Sequence, residues 1–369
     1  MKPALLDYLR CPNCESELIL KPYEQQRVEL RPEEKDILLK NRRDISVYET
    51  EIIFGSLICN NCETTFPIWK SVPRIYRKAE KDFPIDKYVQ ISTVKLANHK
   101  EDIVQTSFGR EWDEFNYEDG VIWLWTIDER IDTFCEELGI SSPEEIKGKL
   151  MIDAGCGSGI LSMNLSEKYS IEIIAFDITN AVERASRVNK SNICHFIQAS
   201  VFSPPLAEGI SDITHSHGVL HHTYDTKKAF NSIEKLTKKG GMLYVWLYGK
   251  KRGYNWFRYL FFRSARTIIS RLPKAPQTFM VYVMAFLHLG ILSLKKILGM
   301  KRTEYKTFSQ FLVGIRDKYT PVYAREHTEE EVKNWFKEAG YKNVCRRTQW
   351  GKTPAWRGST DLSVKGIRE

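Results

Sequence analysis

One stretch constrains the fold of this chain more than any other: Leu150-Met-Ile-Asp-Ala-Gly-Cys-Gly-Ser-Gly-Ile160. An apolar strand pattern runs into Asp153 and Ala154, glycines alternate at 155, 157 and 159 around Cys156, and a helical pattern opens at Ile160. Glycines at these places let the backbone turn tightly and let a ligand approach the peptide closely. The helix that follows offers free N–H groups and a positive dipole end to a carboxylate or phosphate. A dinucleotide fingerprint counted from Gly155 requires glycine at 160, where the chain has Ile160, and the Gly-Lys-Ser/Thr ending of a phosphate-binding P-loop is absent.

Strand-like runs at Lys149–Ala154, Ile171–Phe176, Ile193–Ile197, Ile213–Ser216 and Met242–Leu247 alternate with helical runs such as Ile160–Lys168 and Thr226–Lys238. This alternation predicts an α/β fold, a Rossmann-like parallel sheet with helices on both faces. Gly240-Gly241 reads as a helix stop before a strand. Thr328-Glu-Glu-Glu331 reads as a capping box for a helix over Glu329–Ala339, with closing strands at Asn343–Gln349 and Ser359–Lys365. Five blocks result: 1–75, 76–146, 147–248, 249–322 and 323–369. A carboxylate at the end of the second strand, Asp177, with Ile178 behind it, stands where an acid accepts ribose hydroxyls.

The alternating D-x-G-x-G-x-G form resembles motif I of the class I S-adenosylmethionine-dependent methyltransferases, of the type 11 kind. The resemblance spans about residues 108–248, and the last 45 or so residues fit the family's closing strands. It implies that Asp153, Ala154, Gly155, Cys156, Gly157 and Gly159 surround the methionine end of S-adenosylmethionine, and that Asp177 holds its ribose. Where family members carry an Asp for the adenine amino group, this chain has Ser200, followed by Val201; a hydroxyl makes only a weaker, neutral hydrogen bond. Ser107-Phe-Gly-Arg-Glu-Trp-Asp-Glu-Phe115 resembles a segment that covers the cofactor, with Arg110 placed for its carboxylate and Trp112 for stacking; the same pattern also reads as an ordinary amphipathic helix. Block 76–146 is accordingly a helical linker and cofactor lid.

Methyl transfer from a sulfonium needs mainly positioning, and a general base only where the acceptor keeps a proton at neutral pH. His221 and His222, in the Leu-His-His turn after the fourth strand, are the candidate catalytic imidazoles; the bland alternative is a capping or backbone-bonded role. His217 lies nearer the methionine part of the cofactor, and His215 reads as packing.

Of eight cysteines, four form the pairs Cys11-Pro-Asn-Cys14 and Cys59-Asn-Asn-Cys62. Four thiolates make a closed, structural zinc site rather than a catalytic one. With Leu18–Leu20 and Ile52–Ile58 as flanking strands, block 1–75 reads as a zinc ribbon, although 44 residues separate the pairs. It resembles the small zinc-binding activator that partners RNA and protein methyltransferases. Thr65-Phe-Pro-Ile-Trp-Lys-Ser-Val-Pro-Arg74 is similar to that family's ending, with Ser71 in place of its usual glycine.

The 369 residues carry 42% hydrophobic and 28% charged side chains, an ordinary globular balance that excludes fibrous and wholly disordered classes. The net charge of +8 is unevenly spread. Between Gly249 and Thr320 there are fifteen Lys/Arg against two Asp/Glu, a local net of +13, so the remainder carries −5. Within that segment Thr278–Leu294 is 17 residues without a charge. Block 249–322 therefore reads as a basic, apolar helical insertion: a lid over a small or lipid-like acceptor, a contact with an anionic membrane surface through 250–302, or, as the lesser alternative, an RNA-binding face. The expected reaction is O-, N- or C-methylation of such an acceptor; the alternatives are an RNA methyltransferase with a built-in ribbon and an inactive cofactor-binding adaptor. The cysteine usage and a start without a long apolar run predict a reducing, cytoplasmic setting, peripheral to the membrane if the insertion docks there.

Overall fold

A computed structural model of the chain describes residues 1–76, 99–114, 121–122, 125–250, 256–299, 307–347 and 361–369. Phe115, Tyr117 and Trp123, three of the aromatics in the second block, lie outside the described residues.

The N-terminal unit is an antiparallel sheet of β1 (Ile19–Arg27), β2 (Thr50–Ile58), β3 (Thr65–Trp69) and β4 (Val72–Pro73), paired in that order. The long gap between the cysteine pairs is taken up by β1, β2 and helix α1 (Pro32–Lys40), whose Pro at the first turn and Glu34 cap its start. After β4 the chain runs along the edge of the larger sheet: the Ile75 and Tyr76 N–H groups both donate to the Gln198 carbonyl, at 3.0 and 2.8 Å. A strand edge that would otherwise be open is thereby covered.

The larger sheet holds β5 (Leu150–Ala154), β6 (Glu172–Asp177), β7 (Cys194–Gln198), β8 (Ser211–His217), β9 (Thr237–Gly249), β10 (Tyr341–Arg346) and β11 (Asp361–Arg368). Their order is β10-β11-β9-β8-β5-β6-β7, with the five strands from β9 to β7 parallel, β11 antiparallel to them, and β10 antiparallel to β11. The chain leaves β5 toward β6 and later returns to its other side with β8, so the glycine loop after β5 lies at the topological switch point, where open α/β sheets bind ligands. Side chains alternate across β5: Leu150, Ile152 and Ala154 pack with the ribbon core, α6 (Thr226–Ile233) and α10 (Glu329–Glu338), while Met151 faces Phe134 and Leu138 of α3 (Ile127–Leu138). Helices α4 (Ile160–Tyr169) and α5 (Ala181–Val188) follow β5 and β6. Helix α3 is fixed at both ends, by a Thr126–Glu129 capping box and by Gly139 at φ 71°.

Two local expectations are corrected. The helix from Thr226 stops at Ile233, passes through a 3-10 turn at Glu234–Leu236, and gives way to strand at Thr237. Gly240-Gly241 therefore stands inside β9 rather than ending a helix. The Thr328–Glu331 capping box forms with both of its hydrogen bonds.

The insertion after β9 folds into three helices, α7 (Trp256–Ile269), α8 (Lys274–Ile297) and α9 (Phe308–Tyr319). They enclose a small separate core that includes Ile269, Val281, Met284, Phe311, Ile315 and Tyr319. Helix α2 (His99–Glu114) lies between this cap and the sheet.

Candidate functional site

The glycine loop is built on left-handed backbone, with φ of 86° at Gly155, 55° at Gly157 and 68° at Gly159. A Cβ on Gly157 would lie 2.3 Å from the Trp112 indole, so the close seat of that ring requires glycine. Asp177, half-buried at the tip of β6, is the hub of the loop. Its Oδ2 accepts the Gly157 N–H at 2.9 Å, and its Oδ1 accepts the Thr179 N–H and hydroxyl at 2.8 and 2.7 Å. Burial raises the Asp177 pKa, with the Thr179 and Gly157 donors opposing. Burial and the two nearby aspartates push the Cys156 thiol well above its ordinary pKa, so it stays protonated and is no nucleophile. Asp153 is anchored by the Ser162 hydroxyl at 2.5 Å, and the Ala154 carbonyl accepts from Ser216 Oγ at 2.9 Å.

Ser200 is buried, and its hydroxyl donates to Glu101 Oε1 while accepting the Phe202 N–H at 3.1 Å. Glu101, carried by α2, thus brings a carboxylate to Ser200 from 99 residues upstream. Half-buried Ile178 and Val201 flank it, and the Ile178 carbonyl accepts from Gln198 Nε2 at 3.1 Å. Residues 101, 105, 108 and 112 share one face of α2 by their spacing. Glu101 meets Ser200, Phe108 lies 5.0 Å from the His222 ring, and Trp112 covers the glycine loop. Gln105 is buried between them, and its Oε1 has no hydrogen-bond partner among the described residues. Arg110 is half-buried on the same helix. The helix therefore spans the mouth of the cleft.

His221 is completely buried, its ring 3.9 Å from Tyr248, and neither of its nitrogens has a hydrogen-bond partner among the described residues. Burial, helped by His222, pushes its pKa well below the ordinary value, so it is neutral at physiological pH. His222 Nδ1 lies 2.9 Å from the Tyr323 carbonyl and its Nε2 3.8 Å from Asp317. Burial lowers its pKa too, against the pull of Asp317 and that carbonyl. His217 is half-buried at the end of β8, stacked 4.9 Å from Trp246, with Nδ1 2.9 Å from Glu137 Oε1.

Glu137 is a residue that the sequence reading misses. Fully buried, it also meets His215 Nε2 at 2.9 Å and Arg130 at 3.3 Å. Burial pushes its pKa up, but Arg130, His217 and His215 prevail and hold it well below its ordinary value. His215, whose other nitrogen is 3.5 Å from Asp153, has its pKa raised by Asp153 and Glu137 against the effect of burial. Glu137, His215 and His217 have donor atoms close enough for a metal. Arg130 already supplies the counter-charge, so the cluster reads as a hydrogen-bonded relay under the site. A signal was present: Arg130 and Glu137 fall on the helix stripe of Phe134, where an amphipathic pattern puts apolar residues.

In the N-terminal unit the sulfurs of Cys11, Cys14, Cys59 and Cys62 all lie within 4.8 Å of one another, with Cys11–Cys62 at 3.5 Å and Cys14–Cys59 at 3.4 Å. A tetrahedron of about 2.3 Å Zn–S bonds has S···S edges of roughly 3.8 Å, so this donor set fits zinc.

The family model described as a methyltransferase domain matches residues 152–245, and that of the Trm112p-like protein matches residues 2–70. The chain thus joins a domain of class I, Rossmann-like fold, matched over residues 152–245, to a Trm112p-like region matched over residues 2–70. Phosphoethanolamine N-methyltransferase 2 of Caenorhabditis elegans is 27% identical over 112 residues, which is 29% of this chain and 25% of that protein. The chain therefore spans about a quarter of the length of this curated relative. Among solved structures, the magnesium protoporphyrin IX methyltransferase of Synechocystis PCC 6803 with bound SAH aligns at TM-score 0.42 and 16% identity, over 73% of this chain and 100% of that one. The complex containing the Haloferax volcanii Trm112 methyltransferase activator aligns at 0.39 and 13%, over 73% and 99%. Likenesses this distant say nothing about the substrate.

Proposed function

We propose that the chain binds S-adenosylmethionine and transfers its methyl group, by in-line displacement, to a small or lipid-like acceptor through oxygen, nitrogen or a nucleophilic carbon. The observation that carries this reading is the Asp177 carboxylate on a loop of three left-handed glycines, one of which, Gly157, seats the Trp112 indole. Asp153, Ala154, Gly155, Cys156, Gly157 and Gly159 line the amino-acid end of the cofactor, Asp177 and Ile178 its ribose side, Ser200 with Val201 its adenine side, and Arg110, Trp112 and His217 its cover. The cofactor supplies an activated methyl on a neutral leaving group, so the protein's task is orientation and exclusion of water. The buried, neutral His221, unpaired among the described residues, is the imidazole suited to take a proton from an acceptor that retains one, with His222 held on the Tyr323 carbonyl behind it. Zinc on the four cysteines is structural and takes no part in the chemistry.

The test is incubation of the purified chain with isotopically labelled cofactor and fractionated extract, followed by mass spectrometry of whatever gains one methyl group. A labelled apolar metabolite is the expected product. Labelled RNA supports the built-in-ribbon RNA enzyme instead, and cofactor binding without any labelled product supports the adaptor.

A further inference from the structure

The outer face of the helical cap has no function in the methyl-transfer reading. Twelve of the sixteen large hydrophobic side chains exposed among the described residues lie between Leu260 and Phe308. Most belong to α8, where Phe279, Tyr282, Phe286, Ile291, Leu294 and Ile297 spread over a broad face, about half of the helix circumference at 3.6 residues per turn. Phe279 is 67% exposed, Phe286 70% and Ile297 80%. A helix of 24 residues is about 36 Å long, so this face far exceeds the scattered apolar side chains normal for a monomer surface. The opposite face of α8 is fully used: Val281, Met284 and Ala285 are buried in the cap core, and Gln277 Nε2 donates to the Ile269 carbonyl at 3.1 Å.

Charge decides what covers the exposed face. Lys274 opens α8, and Lys295 and Lys296 close it. They sit within the Gly249–Thr320 segment, whose fifteen Lys/Arg against two Asp/Glu stand out from an otherwise acidic chain. A soluble protein partner needs no such charge, and an RNA needs no row of exposed phenylalanine and leucine. Apolar and aromatic side chains backed by cations match an anionic bilayer surface, where the first enter the acyl boundary and the second meet the headgroups.

We propose that the exposed face of α8 docks the protein flat on an anionic membrane surface. Among the described residues, α8 is long and apolar enough to cross a bilayer. Crossing would drag into hydrocarbon the groups packed on its inner face, including His288, whose Nε2 lies 3.0 Å from Lys318 Nζ. Lying in the interface keeps that face on the protein. The inner side of the same cap reaches the site. Asp317 of α9 faces His222 and accepts the Tyr248 hydroxyl at 3.0 Å, and the Thr320 carbonyl accepts the Ser107 hydroxyl of α2 at 3.2 Å. Docking therefore sets the acceptor side of the cleft close to the lipid.

The experiment is flotation of the full chain with phosphatidylcholine vesicles, with and without phosphatidylglycerol, at low and high salt. Binding to the anionic vesicles, weakened at least about tenfold on neutral vesicles and reduced by salt, is expected. The double variant Phe286→Asp, Ile297→Asp changes only exposed side chains. It should keep the wild-type melting temperature and cofactor affinity while losing flotation. Wild-type protein that stays below anionic vesicles, or a folded variant that floats as well as the wild type, overturns the proposal. So does a dimer that the variant splits without any vesicle binding, or a salt-sensitive RNA complex formed in its place. Cofactor affinity, measured separately by calorimetry, keeps failure here distinct from failure of the methyltransferase reading.

Discussion

The place of Asp177 at the tip of the second parallel strand was legible in the sequence; its hydrogen bonds to the Gly157 N–H and to Thr179 were not. Asp177→Ala removes the acceptor for any ribose hydroxyl, and a hydrogen bond to a charged group is worth about 1.5–3 kcal/mol. Calorimetry should show cofactor affinity down by about tenfold or more, and unchanged affinity would refute the ribose assignment. Glu101 was not legible: a carboxylate in His99-Lys-Glu-Asp carries no pattern, and only the path of α2 puts it on Ser200. His221 stands out in the sequence for position alone; what the sequence hides is that it is sealed from solvent and neutral. Its unfolded-state pKa is near 6.5 and its folded-state value lies well below. Below about pH 6.5 the unfolded chain then binds the extra proton, so His221 makes the fold lose stability as pH falls. His215, with its pKa raised, acts in the opposite sense: its contribution is fully present below the unfolded pKa and is lost as pH rises through the folded one. A His221→Asn variant should therefore lose less melting temperature than the wild type between about pH 7.5 and 5.5, the range around the unfolded-state value. An equal loss in both would show that the ring is not held neutral.

At the scale of elements, the strands and helices of the central block were readable because buried parallel strands are short apolar runs and their helices are periodic. The reading failed where tertiary pairing overrode local preference. Lys238-Lys-Gly-Gly241 looks like a helix end, yet Ser211 of β8 pairs with Thr237 and, past an irregularity in the register, β8 and β11 take up the chain on both sides from Met242. The ribbon's last residues show the same limit. Ser71 adopts φ 63°, a conformation that favours glycine, at the position where the resemblance leads one to expect that residue. Arg74 closes that motif with nothing in the sequence to mark it, yet it is the bolt between the two sheets. Its guanidinium is buried and donates to Gln198 Oε1 at 3.1 Å and Glu183 Oε2 at 2.6 Å. Gln198 in turn holds the Ile178 carbonyl and the Asn180 side chain. Breaking one partner of a buried ion pair costs about 3–5 kcal/mol, and Arg74→Ala should fall at the low end because Glu183 is partly exposed. The same variant should weaken cofactor binding, since the strut behind Ile178 loses its support. Full cofactor affinity in a destabilised Arg74→Ala protein would confine this residue to the ribbon junction.

Over the whole molecule, the two matched domains share one interior. Leu5, Leu9, Cys11, Leu57 and Phe66 of the ribbon belong to the same continuous core as Ile152, Phe176, Ile197 and Leu206 of the sheet. Polar contacts cross the same boundary, among them the Tyr48 hydroxyl on buried Glu172 at 2.7 Å and the Glu34 carboxylate accepting the Asn192 N–H at 2.8 Å. A core continuous across two domains couples their unfolding, whereas separate cores melt separately. The four-cysteine site borders that shared core, with Cys11 and Cys59 inside it. Loss of a structural metal should then be felt at the cofactor cleft. Cys59→Ser, or removal of zinc by a chelator, is expected to give a single calorimetric transition shifted down as a unit. A loss of about 3 kcal/mol corresponds to roughly 4 °C in Tm for one cooperative unit of this length, at about 2.1 cal/mol/K per residue. Cofactor affinity should drop with it, because the Arg74–Gln198 strut hangs from the ribbon. Two resolved transitions, with only the first sensitive to the chelator, would show instead that the ribbon folds and melts by itself and that the methyltransferase domain does not depend on it.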